Sequence, residues 1–360
     1  MKIILFMGDF RFGGAEVVGV NLANAYCDLG YDVSLVVFQD RGGLKPRLNQ
    51  KVNVESLNCR LRSALFSITS YLRKVSNEEV VIISTIRNLN LILSAVNWFY
   101  FKGGFKLISR EANTYRQMRR GNFKRQLEYK IYRLLVPFFY SKASAVIANS
   151  FDVKDDLLHL GLRGDKAKVN VIGNPIVVNH DDHKEIKKSK PDSESAVRIV
   201  SIGRLHEQKG YDLAFESLDV LSERVPNLMY EIYGRGELEK KLLIASRDLK
   251  VKVNIRPPQN DLNQIFKGAR VFLLTSQWEG FGNVVVEAMG HGITPVVVDC
   301  PGGPKDIVGS DFGFVSERDP EILADKIFAA LNKPVDKSLL LSRSREYEGL
   351  KIAKAYLKAL

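Results

Sequence analysis

Glu279 and Glu287, eight positions apart, are the residues of this 360-residue chain whose types and spacing most plainly suit chemistry on a ligand. They flank Gly280-Phe281-Gly282-Asn283-Val284, a glycine-bearing turn that follows the apolar run Val271–Leu274. The run reads as a buried strand, and a helix opens at about Asn283, which places Glu287 one turn in. Backbone N–H groups at such a helix start have no partner within the helix and can cradle a diphosphate. Carboxylates repel phosphate, so their natural partners there are hydroxyl groups of a sugar or a ribose. A solvated helix cap is the plainer alternative for the two glutamates.

Cations stand at matching places. Val197–Ile202 runs into Gly203-Arg204-Leu205-His206-Glu207-Gln208-Lys209-Gly210, where Arg204 offers a planar fork to phosphate and Lys209 a point charge. A diphosphate held by both needs no metal ion. Leu228–Tyr233 runs into a third such loop, Gly234-Arg235-Gly236-Glu237. Loops that each follow a strand of one parallel sheet share its carboxyl edge, where open α/β sheets bind ligands. In the first half, Ile3–Met7 is followed by Gly8-Asp9-Phe10-Arg11-Phe12-Gly13-Gly14-Ala15-Glu16. Its glycines depart from the G-x-G-x-x-G fingerprint, so a dinucleotide site is weakly supported. Ser109-Arg110-Glu111-Ala112-Asn113 follows the run Lys106–Ile108, and Glu111 or Asn113 there can hold an acceptor hydroxyl.

The elements that position these loops are short β-branched runs alternating with helical stretches. Beyond those named, they are Val33–Phe38, Val80–Ile83, Ala145–Ala148 and Val169–Ile172 in the first half, and Val251–Ile255 and Pro295–Val298 in the second. Helices are expected over Val17–Leu29 and over Ser344–Leu360. Strands without strict alternation are buried on both faces of a parallel sheet, and the pattern predicts two doubly wound α/β domains facing a cleft. The first is expected over 1–175 and the second over 197–340, with a polar linker at 176–196 and a last segment at 341–360. His180 and His183 beside Asp181 and Asp182 read as exposed linker residues rather than metal ligands. Cys27, Cys59 and Cys300 are scattered, which argues for a reducing compartment and against a zinc site. The apolar start is too short for a signal peptide, and no run approaches a membrane span.

The net charge is +12, and Trp98–Lys142 holds eleven basic residues against two acidic ones. Aromatic residues interleave with them. Arg119, Arg120, Lys124 and Arg125 suit an anionic membrane surface, or equally nucleic acid, or a solvated helix face over an aromatic core.

Together, Gly13-Gly14-Ala15-Glu16, Gly203-Arg204-Leu205 with Gln208-Lys209-Gly210, Gly234-Arg235-Gly236-Glu237, and Glu279 with Glu287 resemble the retaining GT4 family of glycosyltransferases, in its bacterial surface-polysaccharide form. The resemblance covers nearly the whole chain. It implies the GT-B fold of two Rossmann-like domains, the first binding an acceptor and the second a nucleotide sugar, with the last helix crossing back to the first. By position, Arg204 and Lys209 are expected on the donor diphosphate, Glu279 on the donor sugar and Glu287 on the ribose. Gly280, Phe281, Gly282, Asn283 and Val284 would supply backbone groups, Gly14 would admit the phosphates, and Gly203, Gly234, Gly236 and Glu237 would complete the donor site. Glu111 would act at the reacting centre, and Arg110 and Asn113 on the acceptor or membrane side. Many relatives carry a His where this chain has Ser109-Arg110-Glu111. The implied protein is a cytoplasmic, peripheral membrane enzyme with no cofactor and no metal. It would move a hexose or N-acetylhexosamine from a UDP-sugar to a polyprenyl-diphosphate-linked or other lipid-linked glycan at the anionic inner membrane. The alternatives are a UDP-sugar epimerase of the same fold and, in another class, a basic nucleic-acid-binding protein.

Overall fold

The computed structural model describes residues 1–59, 63–116, 123–162, 169–177, 196–259 and 261–360. They form two compact units, Met1–Val177 with Tyr347–Leu360, and Val178–Glu346.

In the first unit, strands β1 (Lys2–Met7), β2 (Asp32–Val37), β3 (Asn53–Ser56), β4 (Val80–Ser84), β5 (Lys106–Glu111), β6 (Ala145–Ala148) and β7 (Val169–Val171) pair in the order β3-β2-β1-β4-β5-β6-β7. Its helices are α1 (Gly14–Asp28), α2 (Ala64–Lys74), α3 (Arg87–Phe101), α4 (Phe123–Tyr140) and α5 (Phe151–His159). The side-chain period of a strand explains why β1 needs an unbroken apolar run. Ile3, Leu5 and Met7 enter the core that includes α1, whereas Ile4 and Phe6 enter the opposite core with α2 and α3.

The second unit repeats the plan. Strands β8 (Val197–Ile202), β9 (Leu228–Tyr233), β10 (Lys252–Arg256), β11 (Ala269–Leu274), β12 (Thr294–Val298) and β13 (Phe314–Ser316) pair in parallel in the order β10-β9-β8-β11-β12-β13. Between and after them run α6 (Tyr211–Ser222), α7 (Glu239–Ala245), α8 (Leu262–Phe266), α9 (Asn283–Gly290), α10 (Pro304–Val308), α11 (Pro320–Asn332) and α12 (Lys337–Arg345). Asp319 caps α11 by accepting from the N–H groups of Glu321 and Ile322, both at 3.0 Å, with Pro320 opening the helix. In both sheets the chain winds outward from the first strand and then crosses to its other side. The switch points lie between β1 and β4 and between β8 and β11.

Several expectations are corrected. β3 and β13 were not anticipated: β3 is polar and only half-buried at a sheet edge, and β13 is three residues long. The first helix begins at Gly14 rather than Val17. Ser344–Leu360 is not one helix. α12 ends at Arg345 within the second unit, and α13 (Gly349–Lys358) begins the return to the first. The break has a local cause: the Tyr347 carbonyl accepts from the Ile176 N–H at 2.8 Å, so it is diverted from a helical ladder. Ile176 is thereby buried in the first unit instead of starting a linker. The stretch 178–195, with His180, Asp181, Asp182 and His183, lies outside the described residues.

Candidate active site

The carboxyl ends of β8, β9, β11 and β12 bring four loops to one edge of the second unit's sheet. At the switch point, Lys209 Nζ lies 2.7 Å from Glu279 Oε1, with the two side chains only 13% and 12% exposed. The buried Ser276 hydroxyl donates to the same oxygen at 2.7 Å. Backbone contacts tie the two loops: the Gln277 N–H donates to the Gln208 carbonyl at 2.7 Å, and the Gln208 amide donates to the Trp278 carbonyl at 2.8 Å. Arg318, at the end of β13, donates to the Thr275 and Ser276 carbonyls from the other side. Gly203 leaves room for the lysine, since a Cβ there would stand 2.7 Å from Lys209 Cε. Arg204 is exposed and steadied by the Gln208 side-chain oxygen at 3.1 Å.

Helix α9 starts beside this pair. Its cap residue, Gly282, sits at φ +96 and has no side chain with which to cap the helix, whose N-terminal end carries the positive end of the backbone dipole. Asn283, Val284 and Glu287 are the helix residues that stay half-open, and their i, i+3 and i+4 spacing puts them on one side. The Glu279 loop is anchored from beneath: its N–H donates to the Pro301 carbonyl at 2.9 Å, and Gly302 (φ +126) would drive a Cβ to 2.1 Å from the Glu279 carbonyl. Cys300 is no nucleophile here, because burial and then the neighbouring Glu279 push its thiol up to about 12. Among the described residues no group of three His, Cys, Asp or Glu side chains could hold a metal ion.

The expected donor residues of the second unit therefore gather on one sheet edge, though not all face outward, whereas Gly14 belongs to the first unit. Phe281 is buried and packs on Gly303, and Gly280 accepts from the Gly303 N–H at 3.2 Å. Gly234 and Gly236 serve loop packing, since added Cβ atoms would stand 1.9 Å from the Gly203 carbonyl oxygen and 2.2 Å from that of Leu205. Glu237 is exposed, with an oxygen 3.5 Å from His206 Nε2. Ser276 and Arg318 were not anticipated. Ser276 lay inside the motif, but Arg318 reaches the loop from more than forty residues away and has no local signal.

In the first unit the picture departs from expectation. Glu111 is 1% exposed and saturated: Arg87 Nη2 (3.0 Å), the Tyr115 hydroxyl (2.7 Å) and the Tyr140 hydroxyl (3.0 Å) all donate to it. It braces the end of β5 and has no oxygen to offer a substrate. Arg110 is likewise 1% exposed, donating to Asn174 Oδ1, so it contacts neither acceptor nor membrane. Strand alternation is the reason: Arg110 follows Ile108 onto the face covered by α1 and α13, and Glu111 turns to the other face. Asn113 is exposed, and its carbonyl accepts from Arg87 at 2.7 Å. Gly14 is open, and a Cβ there would meet nothing within 4 Å. Glu16 covers Gly13 and is raised by its own burial, with Asp9 adding to the effect. Lys124 and Arg125 are exposed on α4, whereas Arg119 and Arg120 lie outside the described residues.

Two family models match consecutive stretches of the chain: Glycosyltransferase Family 4 over residues 12–180 and Glycosyl transferases group 1 over residues 182–347. An uncharacterized glycosyltransferase of Haemophilus influenzae is 27% identical over 92% of this chain and 92% of its own length. An α-1,4-N-acetyl-D-galactosaminyltransferase of Campylobacter jejuni, named for a PP-undecaprenol-linked glycan, is 25% identical over 100% of this chain and 98% of its own. Among solved structures, Anabaena HepE in complex with UDP and glucose superposes with a TM-score of 0.76 at 19% identity, covering 99% of this chain and 98% of that one.

Proposed function

Since this chain belongs to glycosyltransferase family 4 and carries the GT-B fold, we propose that it moves a hexose or N-acetylhexosamine from a UDP-sugar to a lipid-linked glycan, with retention of configuration and without a metal. The observation that carries the donor reading is the buried Lys209–Glu279 pair beside the Gly282-headed start of α9 at a sheet switch point. In this reading the diphosphate draws Lys209 and Arg204 to itself and lies on the α9 N-terminus. Glu279, released from its lysine, accepts from hydroxyls of the donor sugar, and Glu287 from the ribose. The bond from the anomeric carbon to the diphosphate breaks, and a bond from the acceptor oxygen forms on the same face. The leaving phosphate oxygen takes the acceptor's proton. Charge growing on the diphosphate is met by Arg204, Lys209 and the helix dipole, and removing one such group commonly costs about 10²–10³ in kcat.

Support for the acceptor class comes from the relative named for its PP-undecaprenol-linked glycan and from α4. Along α4, Phe123, Leu127, Ile131, Leu134 and Phe138 are exposed at spacings of four, four, three and four, one apolar stripe. Lys124 and Lys130 border it, and Arg125 and Arg133 are exposed farther round the helix. An apolar stripe bordered by cations suits an anionic lipid surface better than nucleic acid, which has no use for the stripe. No described helix is long and apolar enough to cross a membrane.

The test is UDP release from a panel of UDP-sugars with crude lipid-linked acceptor, for wild type and Glu279→Ala. Acceptor-dependent release with one sugar, lowered about a hundredfold or more in the variant, is expected. Acceptor-independent turnover would favour the epimerase reading. Absence of UDP binding by the wild type would defeat the donor site.

A further inference from the structure

The reaction above assigns no group of the first unit to the acceptor. There, a cavity of about 220 Å³ opens at the carboxyl ends of β1 and β2 beside α3, with Asp9, Arg11, Phe38, Gln39, Arg41 and Leu89 among its lining. It is smaller than the roughly 300–1,000 Å³ of sites for drug-sized ligands, so it admits one charged group or a single sugar residue.

Arg11 and Arg41 both donate from Nε to Asp9 Oδ2, at 2.7 and 3.4 Å. Asp9 is buried, and its other oxygen accepts the Arg11 N–H at 3.1 Å. The arginine side chains are 70% and 58% exposed. Bonding through Nε leaves the Nη ends, which take carboxylate or phosphate, without a partner among the described residues. Glu16 reaches Arg11 electrostatically from the first turn of α1, so Arg41 holds the fork with least competition.

The loops that carry these arginines are fixed to one another. The Phe10 N–H donates to the Arg41 carbonyl at 2.8 Å, the Leu44 N–H to the Phe10 carbonyl at 2.9 Å, and the Phe38 N–H to the Gly8 carbonyl at 3.0 Å. Gly42 makes this approach possible: its φ is +124, and a Cβ would stand 2.0 Å from the Phe10 carbonyl carbon. One buried carboxylate thus orients two guanidinium groups on loops whose spacing is set by backbone bonds. That arrangement is costly to keep on a surface without a ligand to meet, because each long side chain gives up rotamer freedom.

We propose that this cavity is an anion subsite of the acceptor, taking a carboxylate or phosphate on the Nη ends of Arg11 and Arg41. The inference rests on the glycosyl-transfer reading, which supplies an acceptor, and narrows it to an acidic one. The oxyanion belongs either to an acidic sugar or to the diphosphate of a lipid carrier.

The full chain, saturated with UDP so that the diphosphate subsite of the second unit is filled, is titrated with D-glucuronate, its neutral methyl ester and inorganic pyrophosphate, using ligand-observed NMR. Wild type is compared with Arg11→Gln/Arg41→Gln. At least one anion is expected to bind wild type and to lose about tenfold or more in the double variant, the effect of one charge-assisted hydrogen bond. The ester is expected to bind neither protein. Preference for glucuronate assigns an acidic sugar, and preference for pyrophosphate assigns the lipid diphosphate. Equal anion affinity in wild type and variant, no anion binding to wild type, or an ester that binds as well as glucuronate overturns the subsite. UDP affinity is measured first on both proteins. Its loss in wild type defeats the donor reading alone, and the anion titration without UDP still decides this one.

Discussion

The Glu279 carboxylate is held on one oxygen by the Lys209 ammonium and the Ser276 hydroxyl, each at 2.7 Å. Lys209 must leave that oxygen to meet a diphosphate, so Ser276 is the contact that can keep Glu279 in place through the exchange. Ser276→Ala is therefore expected to lower kcat/KM for the donor sugar about tenfold while UDP alone binds as before, because the serine hydroxyl donates to the carboxylate proposed to meet the sugar. An equal loss for UDP and UDP-sugar, measured by titration calorimetry, would make Ser276 a support of the whole loop instead. The motif around Glu279 was legible because strand, turn and helix are local, and their spacing fixes what faces the crevice. Glu111 and Arg110 were misread for a related reason. Their place at a strand end is local information, but the burial that removes them comes from Arg87, Tyr140 and Tyr356 on helices distant in sequence.

At the scale of elements, strands legible as continuous apolar runs were those buried on both faces. β3 and β13 escaped because an edge or a three-residue strand needs no such run. α4 shows the converse: Tyr132, Val136 and Tyr140 pack inward while Phe123, Leu127, Ile131, Leu134 and Phe138 lie outward. Leu127→Ser with Leu134→Ser is expected to weaken cosedimentation with vesicles rich in anionic lipid several-fold without lowering the melting temperature, since neither side chain is in the core. Unchanged cosedimentation would leave the stripe to another partner. The β8-β9-β10 layer carries a different device. Burial would raise Glu231, but Arg198 and Arg256 hold it below the ordinary 4.5. A lowered carboxyl pKa stabilises the fold above its unfolded value, and that contribution is lost as pH falls through the folded one. Stability of the second unit is expected to decline below about pH 4.5, and Glu231→Gln to be less stable at pH 7 with a shallower acid decline. An acid limb identical to wild type in pH-dependent urea unfolding would refute this role.

The chain as a whole crosses from the first unit to the second and comes back, and α13 is the helix that makes the return among the described residues. Ile352, Ala353 and Tyr356 are buried in the core that α1 and β1 share, and Gly349 brings the helix to Ala25, where a Cβ would stand 3.3 Å from that of the alanine. Burying a large apolar side chain contributes about 1.5–3 kcal/mol, against about 5–15 kcal/mol for a whole domain. A chain ending after Glu346 should then lose much of the stability of its first unit while the second, complete by then, keeps its own. The two tryptophans allow the units to be watched separately, because Trp98 lies in the first and Trp278 in the second. With Trp278→Phe, the Trp98 fluorescence of the shortened chain is expected to unfold at clearly lower urea than that of the full chain. With Trp98→Phe, the Trp278 transition should hold, and UDP should still perturb its fluorescence, since Trp278 adjoins Glu279. A joint shift of both transitions would mean that the units unfold as one. No shift in either would mean that α13 is an appendage rather than the last piece of the first unit's core.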